Sequence, residues 1–495
     1  MSESRGWCRD FPVRLPNSGP RRIVRAAGGL SCFRSLQFWT SLRRRALRRC
    51  RPAGGRLAGS YRAWRLSSGI PPPAGERMAW VAVRRSLETR GGWCQEPGRS
   101  VCRRLVGKMT RRDLLRLIAL ALAGLAWRAP IWWLGPLVAL ILPLWVPLTK
   151  NKRDRFILAV VYFAAGSFGL IPGSGVFFGH GATSFLLGAV LWAGSSALLA
   201  LPWVFADARR PWTIIAAIGL DAIPPLGLFG WLSPLTAAGI FWPCTGYLGI
   251  IFLMTGIVTT HHFLISDGKS KISIFLLSGI FLFSISSNSG IGISGNSKNI
   301  PEIKKVDTYV GKFPKNILSV ISRNKKIIDA GLRNSGNSII LFPETIAVWQ
   351  AGTAYQYENS VPTGQTWLIG ATTEKGGKKA DSIIIIRYGM PSQIIFRAAF
   401  PVPVSMWHPW RKGGYIATWR EPIKKIAGIK MAAIICYDQL LVWPWLEIMP
   451  GRPKIILLPR NEWWAKGTGI PVIQKNTAAA FSRLIGAKEI TATNW

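Results

Sequence analysis

The sequence predicts a multi-span α-helical membrane domain followed by an α/β sandwich domain. Apolar stretches, each near the length needed to cross a bilayer, follow one another from 114 to 289. After a linker rich in Ser, Gly and Asn at 286–297, short β-type runs alternate with helical periodicity. An Arg-rich segment, 1–108, precedes both regions. The expected organisation is therefore 1–108, a transmembrane domain of about seven helices at 109–292, and the sandwich at 293–495.

Composition excludes a wholly disordered protein and a lone small domain. The chain has 495 residues, of which 49% are hydrophobic and 17% charged. A formal net charge of +41 would favour a nucleic-acid partner if it lay on one folded face, but 24 of the 63 Lys and Arg residues fall within 1–108. We therefore expect no direct nucleic-acid binding by the folded domains.

The Arg-rich segment 1–108 shows no sustained helical or strand periodicity and is interrupted by Gly and by Pro71–Pro73. We expect it to be disordered or to result from a mis-assigned start. Translation beginning at Met109 is the preferred interpretation. An RNA-binding arm is the alternative, because Arg with interleaved Trp suits phosphate contact and base stacking.

The apolar block is divided into seven candidate spans. Spans three to seven are free of Lys and Arg over most of their length, and the first, bounded by Arg116 and Arg128, is the weakest. Asp221 is an acid within the fifth span, either a polar group that lines a cavity or an acid at an interfacial kink before Pro224 and Pro225. The predicted spans are 114–129, 131–149, 156–172, 183–204, 213–232, 236–258 and 272–289.

The positively charged loops predict the orientation. With seven spans, the basic loops at 150–155, 207–210 and 267–271 all lie on one side, which the positive-inside rule assigns to the cytoplasm. The sandwich would then be periplasmic, and the protein a multi-pass protein of the bacterial inner membrane.

Within 293–495 we expect alternating strands and helices. The predicted helices lie near 316–333 and 472–485. Strands are predicted near 305–310, 338–342, 366–372, 382–388, 393–399, 428–435, 453–458 and 487–493.

Residues suited to catalysis lie where apolar strands end. Glu344 follows the strand of LFPET, where Pro343 interrupts the ladder, and Cys436 follows the apolar run MAAII. The segment 461–474 follows a third strand, so the three could meet at one sheet edge. A carboxylate beside a thiol can take its proton and create a nucleophilic thiolate. Each feature alone is weak, because a lone Cys at a strand end is more often an inert packed thiol.

Metal and cofactor sites are not predicted. The seven cysteines include no pair at zinc-site spacing, and the chain has only four His residues. No Gly-rich loop follows a strand and opens a helix, which argues against nucleotide-driven pumping.

The motifs LFPET, FPVPVSMWHPW, ICYDQLLVWPW and NEWWAKGTGIPVIQ together resemble the nitrilase (carbon–nitrogen hydrolase) superfamily. This resemblance implies an α-β-β-α sandwich. The order of membrane spans followed by such a domain resembles that of the apolipoprotein N-acyltransferase family and that of nitrilase-like conjugal transfer proteins of bacterial plasmids. The resemblance covers about 110–495.

The resemblance implies that Glu344 is the general base and Cys436 the nucleophile. The lysine of the acyltransferases falls at Ala398, and adjacent Arg397 is the candidate for supplying positive charge to an oxyanion together with amides near 437–438.

The expected function is therefore that of a membrane-bound acyltransferase or amidase that forms a Cys thioester, associated with conjugal transfer. Its expected partners are membrane lipids, a lipid acyl donor, an amine acceptor and proteins of the conjugation apparatus. Two alternatives remain: a catalytically silent membrane scaffold of that apparatus, which the absent lysine favours, and a tethered hydrolase of soluble amides.

Overall fold

A computed structural model describes residues 111–289, 302–314, 316–334, 336, 338–410 and 412–495. All of them belong to one compact unit, Glu96–Trp495. The Arg-rich segment 1–108 and the expected start at Met109 lie outside the described residues.

The first part of the described chain is helical. Apolar sequence with Gly and Pro interruptions produces helices of very different length, from four to nineteen residues. The helices are α1 (Arg111–Ala126), α2 (Leu134–Val138), α3 (Ile141–Trp145), α4 (Lys152–Ser167), α5 (Leu170–Phe178), α6 (Ala182–Ala200), α7 (Trp212–Ala222), α8 (Ala238–Phe241), α9 (Tyr247–Ile265) and α10 (Lys271–Ser289).

Three helical stretches of the described chain are long and apolar enough to cross a membrane: Ala182–Val204, α9 and α10. The pair α4 and α5, bent by 45°, would make a fourth. The predicted spans 183–204 and 272–289 coincide with such helices. The other predicted spans at 114–129, 131–149 and 213–232 fall on shorter or broken helices.

The predicted span 236–258 is wrong in position. Helix α9 begins only at Tyr247, because Pro243 cannot donate into a helix and Gly246 adopts a φ of +59°. A short helix, α8, precedes this break.

Asp221 is buried near the end of its helix, and it is not among the residues that line the cavity described below. Its side chain is on α7 and only 5% exposed, and its carboxylate accepts a 2.7 Å hydrogen bond from Nε1 of Trp203. The indole therefore offsets part of the cost of burying this acid.

The remaining chain forms two mixed sheets. The first has the order β1-β2-β4-β5-β6, with β3 paired to β4, and the second has the order β10-β9-β8-β7. The strands are β1 (Ile303–Lys305), β2 (Ile339–Leu341), β3 (Ala347–Val348), β4 (Thr366–Lys375), β5 (Lys378–Arg387), β6 (Met390–Arg397), β7 (Ile423–Ile426), β8 (Ile429–Ala433), β9 (Ile455–Asn461) and β10 (Lys488–Asn494).

The helices of this part are α11 (Ile317–Leu332), α12 (Ala351–Glu358), α13 (Trp443–Ile448) and α14 (Ile470–Ile485). The cores show how the layers stack. Leu341 and Leu368 of the first sheet share a core with Leu457 of the second. Helix α11 covers the outer face of the first sheet and α14 that of the second. The order is α-β-β-α, the layering that the sequence resemblance implies.

Helix α14 also packs against the apolar helices. The Asn476 side-chain amide donates to the carbonyls of Trp127 and Ala129, both at 3.1 Å. Gly239 of α8 lies against the backbone of Ala480, so closely that a β-carbon there would collide with the Ala480 carbonyl. One continuous hydrophobic core therefore includes the apolar helices and the second sheet.

We expect Gly239→Ala to destabilise the protein by about 1–3 kcal/mol, because the added methyl group forces α8 and α14 apart. Thermal unfolding of the detergent-solubilised protein measures this. Gly256→Ala is the matched control: Gly256 lies in α9 with open space around it, so its replacement should leave the midpoint unchanged or slightly raised. Equal midpoints for the two variants would contradict the close packing.

Candidate active site

Glu344 lies on a bulge between two attachments to strand β4. The N–H of Phe342 donates to Leu368 O at 2.9 Å, and the N–H of Ile346 donates to Gly370 O at 3.0 Å. Any side chain at position 370 would meet the backbone of the bulge, so only glycine fits there. The bulge turns Glu344 toward the second sheet, where it is 3% exposed.

Cys436 opens a 3-10 turn, Cys436–Leu440, just after β8. Its φ is +42°, a left-handed conformation that costs a non-glycine residue roughly 1–2 kcal/mol. The Gln474 side-chain amide of α14 donates to the Cys436 carbonyl at 2.8 Å. Strain of this kind is maintained by the surrounding structure and is concentrated at functional positions.

The structure brings the Cys436 thiol and the Glu344 carboxyl together. The two side chains are hydrogen-bonded, and the backbone N–H of Asn461, the last residue of β9, hydrogen-bonds to both. The Asn461 side-chain amide donates to Thr345 Oγ1 at 2.8 Å. The ends of β2, β8 and β9 thus meet at one edge, as the sequence motifs predict.

Asp381 of β5 is a third member of this group, and sequence reasoning missed it. Burial, followed by the nearby charge of Glu344, raises the pKa of Asp381 well above its usual value, and its side chain is hydrogen-bonded to Glu344. Burial also raises the pKa of Glu344, while this bond opposes that rise. Burial and the Glu344 charge raise the pKa of the Cys436 thiol well above its usual value. This shift favours the neutral thiol in the resting site.

A second acid pair holds the segment that follows β6. The Asp438 carboxylate accepts the N–H groups of Ala399 and Phe400, at 2.8 and 2.9 Å, and a hydrogen bond from Glu421. Burial raises the pKa of Asp438 to about 7 and that of Glu421 well above its usual value. The Asp438 N–H donates to Ile435 O at 3.0 Å. This amide is therefore not available to an oxyanion, although the motifs had suggested the amides near 437–438 for that role.

Arg397 is placed differently from Glu344 and Cys436. It is the last residue of β6, half-buried and opposite Ser382, and is not among the residues that line the cavity above Cys436. Ala398 is buried between the sheets, and its N–H donates to Asp381 O at 2.9 Å. Two cations that the sequence did not single out, Lys312 and Lys379, line that cavity.

The cavity has a volume of about 530 Å³, and Cys436 and Glu344 are at its wall. The opposite wall comes from helices α4, α5 and α6, and Trp463 stacks on Phe177 of α5 at 5.9 Å between ring centroids. The Tyr437 hydroxyl donates to Leu228 O at 2.8 Å, which ties the residue after the thiol to the helical part. Apolar and aromatic lining residues include Phe163, Leu170, Phe178, Leu191, Leu199, Trp231 and Trp464.

Among the described residues, no group of three or more His, Cys, Asp or Glu side chains is arranged to hold a metal ion.

Fold and site together define a class: an α-β-β-α protein, packed on apolar helices, whose buried Cys–Glu pair faces a cavity shared with those helices. No protein-family model matches the chain. It is similar to conjugal transfer protein TraB of Agrobacterium fabrum, with 27% identity over 423 residues, 80% of this chain and 96% of the relative. The probable conjugal transfer protein TraB of Sinorhizobium fredii is 26% identical over 370 residues, 72% of this chain and 92% of the relative. The resemblance to such proteins is thereby confirmed.

Solved structures similar to the chain include an amidase of the nitrilase superfamily from Nesterenkonia sp. AN1, which has 14% identity, a TM-score of 0.29 and coverage of 39% of this chain and 75% of that one. Glutamine-dependent NAD+ synthetase from Acinetobacter baumannii has 13% identity and a TM-score of 0.24 over 29% and 30% of the chains. With TM-scores this low, the fold assignment rests on the chain's own layers and sheet order.

We expect Glu344→Gln to make Cys436 alkylate faster at neutral pH. Because the Glu344 charge raises the pKa of the thiol, its removal should lower the midpoint of the alkylation profile by about one pH unit and speed the reaction about tenfold below it. Iodoacetamide labelling followed by peptide mass spectrometry measures Cys436 separately from the other cysteines. Glu374→Gln, at an exposed carboxylate of the same cavity, is the control. A slower or unchanged reaction in Glu344→Gln would refute the contact.

We also expect stability to fall as pH rises from about 4.5 to 7. Burial raises the pKa of Glu462 from 4.5 to about 7, so in this window the folded protein binds more protons than the unfolded chain. The shift corresponds to about 3 kcal/mol, present below pH 4.5 and lost by pH 7. Glu462→Gln should flatten that slope in thermal unfolding, whereas Glu302→Gln, at an exposed carboxylate, should not. Identical slopes in all three proteins would count against this assignment.

Proposed function

We propose that this protein is a membrane-bound acyltransferase or amidase in which Cys436 is the nucleophile and Glu344 the general base. The supporting observation is the contact of a strained, buried thiol with a buried carboxylate at the wall of a 530 Å³ cavity. An inert packed thiol would require neither the strained backbone nor the carboxylate.

In the first half-reaction, Glu344 takes the thiol proton and the thiolate sulfur attacks the carbonyl carbon of an ester or amide. The tetrahedral oxyanion collapses, the bond to the leaving group breaks, and protonated Glu344 returns the proton to the departing alcohol or amine. A thioester on Cys436 remains. In the second half-reaction, Glu344 accepts a proton from an amine or water as it attacks the thioester carbonyl. The C–S bond then breaks, the amide or carboxylic acid leaves, and Glu344 returns the proton to the sulfur.

The proposed acyl donor is a membrane lipid. One wall of the cavity is formed by α4, α5 and α6, and its residues are mainly apolar and aromatic. An acyl chain lying against such a wall would bury apolar surface, worth roughly 25 cal/mol per Å². The reactive carbonyl would then reach Cys436 from the side of α4, α5 and α6. The amine acceptor would enter the cavity from the side lined by the sandwich.

The proposed setting is conjugal transfer at the inner membrane, with the sandwich on the periplasmic side. Two relatives named for conjugal transfer align with most of the chain, and several helices could span a membrane. The basic loops at 150–155, 207–210 and 267–271 favour this orientation when all seven predicted segments cross the membrane. Proteins of the conjugation apparatus are the proposed partners.

A catalytically silent scaffold is the competing proposal. The observation that favours it is Ala398, a buried alanine at the position where the acyltransferases carry lysine. Such a scaffold would keep the fold but would not form a thioester.

We expect membranes containing the wild-type protein to form a hydroxylamine-sensitive thioester with an alkyne-tagged phospholipid, located at Cys436 by peptide mass spectrometry. Cys436→Ala should abolish this product, and Glu344→Gln should reduce its rate at least about 100-fold, the contribution typical of a general base. Cys244→Ser, at an exposed free thiol, is the matched control and should label normally. Equal labelling of wild type and Cys436→Ala would refute the enzyme and favour the silent scaffold. Labelling by a soluble amide without phospholipid would refute the lipid donor and favour the amidase.

A further inference from the structure

A buried polar network adjoins the backbone of Cys436, and one of its members, Gln474, also lines the cavity. Nε of Arg460 donates to Gln439 Oε1 at 2.6 Å. The Gln474 side-chain amide donates both to this same oxygen, at 3.1 Å, and to the Cys436 carbonyl, at 2.8 Å. Two glutamines thus connect a guanidinium on β9 to the backbone of the nucleophile.

The network has one orientation. Gln439 Nε2 donates to the carbonyls of Ile434 and Pro459, at 2.8 and 3.2 Å, so its Oε1 must face Arg460 and Gln474. A flipped carboxamide would point an N–H group at the guanidinium and lose these bonds. Arg460 therefore fixes Gln439, and Gln439 helps to orient the amide that holds Cys436 in its left-handed conformation.

Arg460 is also a buried positive charge, connected to the Cys436 carbonyl through the side chains of Gln439 and Gln474. It is 5% exposed and interacts electrostatically with Cys436. The acids that face it are Glu462, at 4.0 Å, and Glu489, and burial raises the pKa of both, that of Glu462 to about 7. Lys475 acts on Glu489 from α14. The groups that face Cys436 itself are Glu344 and Asp381, both acids.

We propose that Arg460 is a positioning residue: through Gln439 and Gln474 it holds the strained backbone of Cys436, and its charge lowers the cost of forming the thiolate. The inference rests on the proposed function, in which that thiolate attacks the acyl donor. Arg460 thereby gives the site a cation near the nucleophile, although position 398 carries alanine where the acyltransferases carry lysine.

The test is the pH profile of Cys436 alkylation by iodoacetamide, resolved by peptide mass spectrometry on the full-length protein in detergent. Arg460→Gln removes the charge, so the midpoint should rise by about one pH unit. Arg460→Lys keeps the charge but not the planar fork, so its midpoint should remain near that of the wild type while the plateau rate at high pH falls several-fold. A purely structural role would not separate midpoint from plateau in this way.

An unchanged midpoint of the alkylation profile in Arg460→Gln would overturn the electrostatic part of the inference. An unchanged plateau rate in Arg460→Lys would overturn the positional part. If Arg460→Gln does not accumulate in folded form, as judged by circular dichroism, the Arg460→Lys profile decides: a wild-type plateau, or a midpoint raised by a full unit, overturns the inference.

Failure of the proposed function would have a different result. Wild-type protein that alkylates with a midpoint shifted by Arg460→Gln, but never forms a thioester with phospholipid, would refute the acyl transfer and leave the role of Arg460. Wild type and Arg460→Gln that form the thioester at equal rates and share one alkylation profile would refute the role of Arg460 and leave the acyl transfer.

Discussion

The contact between Cys436 and Glu344 is the constraint on which the rest of the site depends. Both groups are buried, and a negative charge on either one raises the energy of a charge on the other. The pair can therefore hold one negative charge but not two, and moving the proton from sulfur to carboxylate keeps the total charge constant. The Asp381 carboxyl, whose pKa burial raises well above its usual value, and the Asn461 N–H supply hydrogen bonds to Glu344.

The position of this pair follows from how helix α14 is shared. The helix packs on the second sheet with one face and on the apolar helices with another, and Asn476 donates to two carbonyls at the end of α1. Its amino-terminal half also supplies Gln474 to the Cys436 carbonyl. The same helix that attaches the sandwich to the apolar helices thus holds the nucleophile, which explains why the cavity has one wall from each part.

The sequence was sufficient to predict the residues at strand ends and insufficient for those inside strands. Glu344 and Cys436 each follow an apolar run, where a polar residue cannot continue a buried ladder and stands out. Asp381 precedes the run SIIII within β5, and its proximity to Glu344 depends on the β4–β5 register, which no local pattern specifies. Strands β7 and β3 and helix α12 were missed because they are short, and α9 was misplaced because the breaks at Pro243 and Gly246 lie inside an apolar stretch. The sheet order that brings these residues together is a property of tertiary packing.

Position 398 shows how the charge balance of the site differs from that of the family it resembles. A lysine there would place a positive charge near the site, whereas here position 398 carries none and the Asp381 carboxyl hydrogen-bonds to Glu344. The Arg460 cation favours formation of the Cys436 thiolate. It stabilises an oxyanion less, because the attacked carbonyl lies in the cavity. Lys312 and Lys379 are the cations on that side. Arg460 lies near the nucleophile, whereas Lys312 and Lys379 lie at the cavity. With this arrangement the thiol would stay protonated until a substrate fills the cavity and excludes water, because the attraction of these cations for the thiolate and the oxyanion strengthens as the surroundings become less polar.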